Sequence, residues 1–342
     1  MNLLKETVDK ISGLNEEWTK TRKNAIDALL KTPNGLGKLE EISIQIAGMN
    51  FNYKVNKKAV VVMAADNGVE KEGVSASKRE ITTILAHAML NKKASINSLA
   101  KSMGSEVFVV DLGIDTTDKF EGIYDKVVMK NGTRNIKLEN AMTREEAVKA
   151  IEAGIEVVDE LVKKGYNLIA VGEIGIGNTT TSSAIARVIS NVSIDEIVGV
   201  GSGIDSNKLE LKKKVVEEAV KINGPYSDNP IEILHKLGGL DIAAMTGAYL
   251  SAAKNRIPIV VDGFISGISA YIAYKICEEA KEFMIPSHIS EEPGAKWIMK
   301  ELGFEPNLYM KMKLGEGSGA VLMFPLIEAA LNMDKDIMNY PK

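Results

Sequence analysis

Cysteine is almost missing from this chain: Cys277 stands alone among 342 residues. One thiol cannot close an internal disulfide, which fits a reducing compartment. Histidine is nearly as scarce. His87, His235 and His288 are scattered, with no i,i+4 pair and no neighbouring cysteine, so metal ligation is not expected. No apolar run reaches about 18 residues, the length of a spanning helix. The first residues, Met1-Asn2-Leu3-Leu4-Lys5-Glu6, carry no apolar signal core. An excess of one charge is lacking too: 42 Lys and Arg face 46 Asp and Glu. That balance points away from a nucleic-acid groove and from an anionic membrane surface. Internal repeats and low-complexity tracts are absent. The expectation is a soluble, cytoplasmic protein without a metal or a bound cofactor.

What is present is apolar residue in quantity, 45% of the chain, enough to bury a large core. Residues 3–50 show helical spacing, broken by Thr32-Pro33-Asn34-Gly35-Leu36-Gly37-Lys38, a loop rich in turn formers. Lys58 to Ala65 is a continuous apolar run ending in Asp66-Asn67-Gly68, as buried parallel strands read. A polar loop from Glu72 to Glu80 leads into a helix over 81–90, and Glu106 to Asp111 is a second strand. Thr143-x-x-Glu146 is a capping box that opens a helix to about Lys164. Further strands are expected at 166–171, 197–200, 257–261, 283–285 and 308–312. Helices are expected at 180–190, 207–222, 231–237, 240–254, 265–281, 291–302 and 320–331. Strands alternating with helices of this length predict an α/β fold, a mainly parallel sheet with helices on both faces. The strand-free N-terminal helices predict a small helical part, residues 1–57 joined by 325–342, on a core of 58–324.

Three glycine-rich stretches carry the chemistry. In Gly172-Glu173-Ile174-Gly175-Ile176-Gly177-Asn178-Thr179-Thr180-Thr181, glycines permit close approach and the free N–H groups of a starting helix suit a phosphate. Simple helix capping by Asn178 or Thr179 is the plainer reading. Gly175-x-Gly177 also echoes a dinucleotide fingerprint, but the acid expected at the end of the next strand is missing, as is a Walker lysine. Gly199-Val200-Gly201-Ser202-Gly203 follows, with Lys212 on the next helix either as a phosphate counter-charge or as solvated surface. Gly238-Gly239 precedes a helix of small residues, read as core or subunit interface, and Asp262 ends a strand on the ligand edge. The third stretch, Leu314-Gly315-Glu316-Gly317-Ser318-Gly319, crowds three glycines around one carboxylate at an expected strand-to-helix junction.

Eight ordered segments together resemble the nicotinate-nucleotide:dimethylbenzimidazole phosphoribosyltransferase family of cobamide lower-ligand assembly. They are Gly35 to Glu40, Ala65 to Val69, Glu72 to Val74, Val110 to Asp115, Gly172 to Thr180, Asp262 to Phe264, Ser287-His288-x-Ser290 and Leu314 to Gly319. The resemblance implies a Rossmann-like sheet with a small helical part from the chain ends, in a dimer. It implies a pentosyl transfer from nicotinate mononucleotide to a nitrogen of an aromatic base, releasing nicotinate and giving an α-ribotide. Residue by residue it implies Glu316 as catalytic base and Ser77, Leu85 and Leu314 on the acceptor side. It likewise implies Glu173, Gly175, Asn178, Thr179, Lys212 and Ser290 on the nucleotide side.

Three departures stand out. Asn67 replaces the family's usual histidine after Ala-Asp, Thr181 replaces a proline, and Leu85 falls where benzimidazole-using members carry a glutamine. The family also includes members that ribosylate adenine and a phenol- and cresol-using branch built as a heterodimer of two paralogues. The alternatives are therefore the same reaction on adenine, phenol or p-cresol, a non-catalytic paralogue serving as scaffold, and a nicotinamide-cofactor oxidoreductase.

Overall fold

The structure, a computed structural model, describes residues 2–190, 192–201, 203–224 and 229–341; Ser202 of the second glycine loop lies outside them. Three helices come first, α1 (Leu3–Val8), α2 (Glu16–Asp27) and α3 (Lys38–Met49). Asn2 and Asn15 cap the first two by accepting N–H groups of the opening turn. The sheet region follows with β1 (Lys57–Ala65), α4 (Glu80–Leu90), α5 (Ser95–Ser102), β2 (Glu106–Gly113), β3 (Tyr124–Asp125), α6 (Arg144–Lys163) and β4 (Tyr166–Ile174). It continues through α7 (Asn178–Ile189), α8 (Ile194–Ile197), α9 (Ser206–Asn223), α10 (Pro230–Leu237), α11 (Leu240–Lys254), β5 (Ile259–Val261), α12 (Phe264–Ile276) and β6 (Met284–Pro286). The last elements are α13 (Gly294–Glu301), α14 (Ser318–Val321) and α15 (Phe324–Asp336).

Among the described residues six strands form one sheet, all parallel, in the order β3-β2-β1-β4-β5-β6. That is the doubly wound, Rossmann-like arrangement with helices on both faces. Strand order reverses between β1 and β4, and a ligand crevice opens where their C-terminal ends diverge. β1 is buried from Ala59 to Ala65 without alternation, because both faces of the sheet are covered. The small-residue helix α11 is buried along nearly its whole length and packs on α6. A methyl group added to Gly154 would overlap the Ala244 carbonyl, and one on Gly247 the Ile151 carbonyl. The glycines thus let two helices touch inside the chain, which makes that stretch core.

Ile26 of α2, Leu29 and Met333 of α15 form a small apolar cluster of their own, while Leu4 of α1, Ile42, Ile46 and Met49 of α3 and Ile327 of α15 join the main core. The chain ends also meet through a bridge between Leu29 and Asn339. Arg256 ties this layer down: its guanidinium donates to the carbonyls of Met49 at 2.8 Å and Gly48 at 2.9 Å. Among the described residues no helix is long and apolar enough to cross a membrane.

Several element boundaries differ from the sequence reading. Residues 197–200 form no strand; α8 ends at Ile197 and extended backbone follows. Ser193 stands at the N-cap of that helix without a side-chain cap, its hydroxyl bonded to the Glu196 carboxylate at 3.1 Å, and the helical turn takes Ile197 out of the short apolar run. Residues 308–312 form no strand either. A single bridge joins Leu308 to His288, and Lys311 turns left-handed at φ 52° within an exposed segment. The helix expected over 320–331 is two, α14 and α15, with a proline in the first turn of the second. The expected helix 265–281 stops at Ile276 and passes into a 3₁₀ turn from Glu278 to Phe283.

Candidate active site

A cavity of about 570 Å³ opens at the β1/β4 crevice. The loop after β4 supplies its floor. Gly177 caps α7 in a left-handed conformation at φ 97°, so the first turn of that helix faces the cavity through Asn178 and Thr179. Gly175 has no room for a side chain, since a methyl there would overlap the Ala65 carbonyl. Glu173, near the end of β4, is buried and accepts a hydrogen bond from the Asn178 amide. That amide donates also to Asp241 at 3.1 Å. Burial first, and then the neighbouring Asp241 charge, push the Glu173 carboxyl well above the ordinary carboxylate range. Burial pushes Asp241 up to about 7.

The adjoining wall is Leu314 to Gly319. Three successive residues are left-handed, Gly315 at φ 85°, Glu316 at φ 62° and Gly317 at φ 81°. Such a run is open to glycine and strained for glutamate. The loop presses on the sheet so closely that a methyl on Gly172 would overlap the Glu316–Gly317 peptide. Glu316 is 4% exposed, and its Oε2 accepts the N–H of Ile96 at the start of α5, at 3.0 Å. Burial raises its proton affinity, the Ile96 bond opposes that, and the charge of Asp262 adds to it.

Every residue expected on the acceptor side lines this cavity: Ser77, Leu85 and Leu314. Val74, Ile81 and Ile176 complete an apolar patch beside them. Gly175, Asn178, Thr179, Glu173 and Ser290 line the other part together with Gly201, Gly263 and Glu292. Lys212 does not itself line the cavity. It lies one layer behind, 1% exposed, donating to the Thr179 hydroxyl and to the Gly199 carbonyl, both at 2.9 Å. Burial lowers its pKa to about 8, against the raising effect of Glu292.

The sequence reading did not assign roles to Asp241, Thr82, His288 or Glu292. Thr82 links the two sides: its hydroxyl donates to Asp66 at 2.7 Å and accepts the N–H of Ile176 at 3.3 Å. Asp241 sits just past Gly238-Gly239, in a segment whose small residues signal packing, so no local pattern marks it. His288 carried a signal, the Ser287-His288-x-Ser290 segment. Asp262 was legible as the acid closing a strand.

A phosphoribosyltransferase family model matches residues 11–340. The chain belongs to this family. A Clostridium tetani protein named nicotinate-nucleotide–dimethylbenzimidazole phosphoribosyltransferase is 46% identical over 333 residues, 97% of this chain and 92% of its own. A Clostridium acetobutylicum protein of the same name is 43% identical over 330 residues, 96% of this chain and 94% of its own. The crystal structure of CobT from Thermus thermophilus superposes with a TM-score of 0.89 at 33% identity, covering 93% of this chain and 96% of that one.

Proposed function

We propose that this phosphoribosyltransferase moves the phosphoribosyl group of nicotinate mononucleotide to 5,6-dimethylbenzimidazole, for cobamide assembly. The observation that carries the reading is one cavity holding two unlike walls, a helix start suited to phosphate and a buried carboxylate beside an apolar patch. The bond from the ribose carbon to the pyridinium nitrogen breaks, and its electrons return to the ring as nicotinate leaves. Charge builds on the sugar as in glycoside cleavage. One benzimidazole nitrogen attacks, and the proton on the other passes to Glu316, leaving the base of the α-ribotide uncharged. A carboxylate with raised proton affinity is the better base for that step.

Residues Ser77, Leu85 and Leu314 take the acceptor in this reading. The patch they form with Val74, Ile81 and Ile176 suits a methylated bicyclic ring more than adenine, whose polar edge would lose hydrogen bonds there. Gly175, Asn178, Thr179 and Ser290 take the nucleotide, Glu173 borders it, and Lys212 supplies positive charge from beneath Thr179. The helical layer of 1–57 with 325–342 is read as a small part seated on the 58–324 core: Ile26, Leu29 and Met333 cluster by themselves, and Leu4, Ile42, Ile46, Met49 and Ile327 join the main core. The working assembly is a cytoplasmic homodimer, which sedimentation of the purified chain tests.

The test of function is direct. The purified chain with nicotinate mononucleotide should form α-ribotide fastest with dimethylbenzimidazole, more slowly with adenine and slowest with phenol. Faster turnover of phenol or p-cresol would overturn the acceptor assignment, and no ribotide from any acceptor would overturn the reaction itself.

A further inference from the structure

Asp262 closes β5 in the cavity wall and is 3% exposed. Its carboxylate is turned toward the loop that carries Glu316. Oδ2 accepts the N–H of Gly317 at 3.2 Å, and Oδ1 accepts those of Gly319 at 2.8 Å and Ala320 at 2.9 Å. The residue is itself anchored at both main-chain groups. Its N–H donates to the Ser266 hydroxyl at 3.0 Å, and its carbonyl accepts from the Ser287 hydroxyl at 3.2 Å. Thus the amides immediately after Glu316 are tied to the sheet edge. His288 closes the loop from another side, its Nδ1 3.9 Å from Asp262 Oδ1. A methyl on Gly319 would overlap that imidazole.

This matters because glycine-rich, left-handed backbone has many alternatives in the absence of a tether. Glu316 reaches the cavity from the middle of such a run. We infer that Asp262 is a positioning residue: by gripping the amides of Gly317, Gly319 and Ala320 it holds the Glu316 loop in one conformation and so aims the carboxylate. The inference rests on Glu316 being the base. The groups acting on the Glu316 carboxylate are the Ile96 N–H at the start of α5 and the charges of Asp262 beyond β5 and Glu173 from β4, while His288 stands against Asp262. Of these, Asp262 adds a like charge, which strengthens the base.

Asp262→Asn keeps the shape, removes the charge and turns an amide N–H toward backbone N–H groups. We expect kcat to fall about 10–100-fold, the scale of an ångström-sized misplacement, with KM for nicotinate mononucleotide within about twofold. The acidic limb of the pH–rate profile should move to lower pH, since the like charge is gone. Amides 317, 319 and 320 should exchange hydrogen faster in the variant, with those of β1 unchanged.

A kcat within twofold of wild type and an unmoved acidic limb would overturn the inference, as would a raised KM with kcat intact. Glu316→Gln is measured alongside. If that variant keeps full activity, the base assignment has failed, and the exchange pattern alone decides whether Asp262 grips the loop. Should Asp262→Asn not fold, exchange on the wild-type protein decides: protection of the three amides matching that of β5 supports the grip, and open-loop exchange overturns it.

Discussion

Two glycine stretches border the cavity side by side, and they look alike on paper. Gly172 to Asn178 and Gly315 to Gly319 both space glycines around an acid, and both precede a helix. In the first, the glycines serve the backbone. Gly177 turns the chain into a twelve-residue helix whose first two residues, Asn178 and Thr179, line the ligand space. In the second they serve a side chain, letting Glu316 sit left-handed with its carboxylate buried, ahead of a helix of only four residues. A G-x-G spacing therefore reports close approach, and the elements on either side decide what is brought close.

Four experiments press on that difference. The largest effect should come from Glu316→Gln, which lowers kcat by about 10²–10⁴-fold if the second loop exists to present a base. Steady-state kinetics with both substrates checks it, and a kcat within threefold of wild type removes Glu316 from that role. Next is Gly172→Ala, where the two loops touch. The added methyl should cost about 1–3 kcal/mol of stability by overpacking and should lower kcat as well, read by urea unfolding and assay together. A third variant, Lys212→Ala, strips the charge from beneath the first loop. Acting through Thr179 rather than by direct contact, the loss should weaken nucleotide binding by about 0.5–1.5 kcal/mol, the span of one ordinary hydrogen bond, seen as a higher KM for nicotinate mononucleotide. An unchanged KM sinks the phosphate role.

The smallest effect concerns pH. Asp241, raised on folding to about 7, adds stability that is present below its unfolded value and lost as pH climbs toward 7. Lys212, depressed to about 8, works the other way: its contribution is present above its unfolded value and lost as pH falls through 8. Stability should therefore decline from about pH 4 to 7 and recover above 8 as far as these two groups govern it. Urea midpoints of wild type and Asp241→Asn across that range measure the first slope. An equal slope in both proteins would show that Asp241 is not its source.

Much of the fold was readable because hydrophobic period is a local property. β1, β4 and α6 declared themselves through unbroken apolar runs and a capping box. What misled were short apolar stretches whose fate depends on neighbours. The run 197–200 lost to a helix start at Ser193, and 308–312 had no strand edge to join beyond one bridge to His288. The site shows the same division. Glu316, Asn178 and Thr179 announced themselves by their glycines. Asp241 did not, because its partner Asn178 lies 63 residues away.

The order of strands and helices, the glycines that allow close approach and the placing of acids at strand ends follow from residue identity alone. Each depends on backbone freedom or on the apolar period along a few neighbouring positions. That Asp262 grips the amides beyond Glu316, that Lys212 stands behind Thr179, and that α11 lies inside the chain were decided only by tertiary packing. Hydrogen bonds and burial join residues far apart in sequence, and no short stretch encodes who its distant neighbour will be.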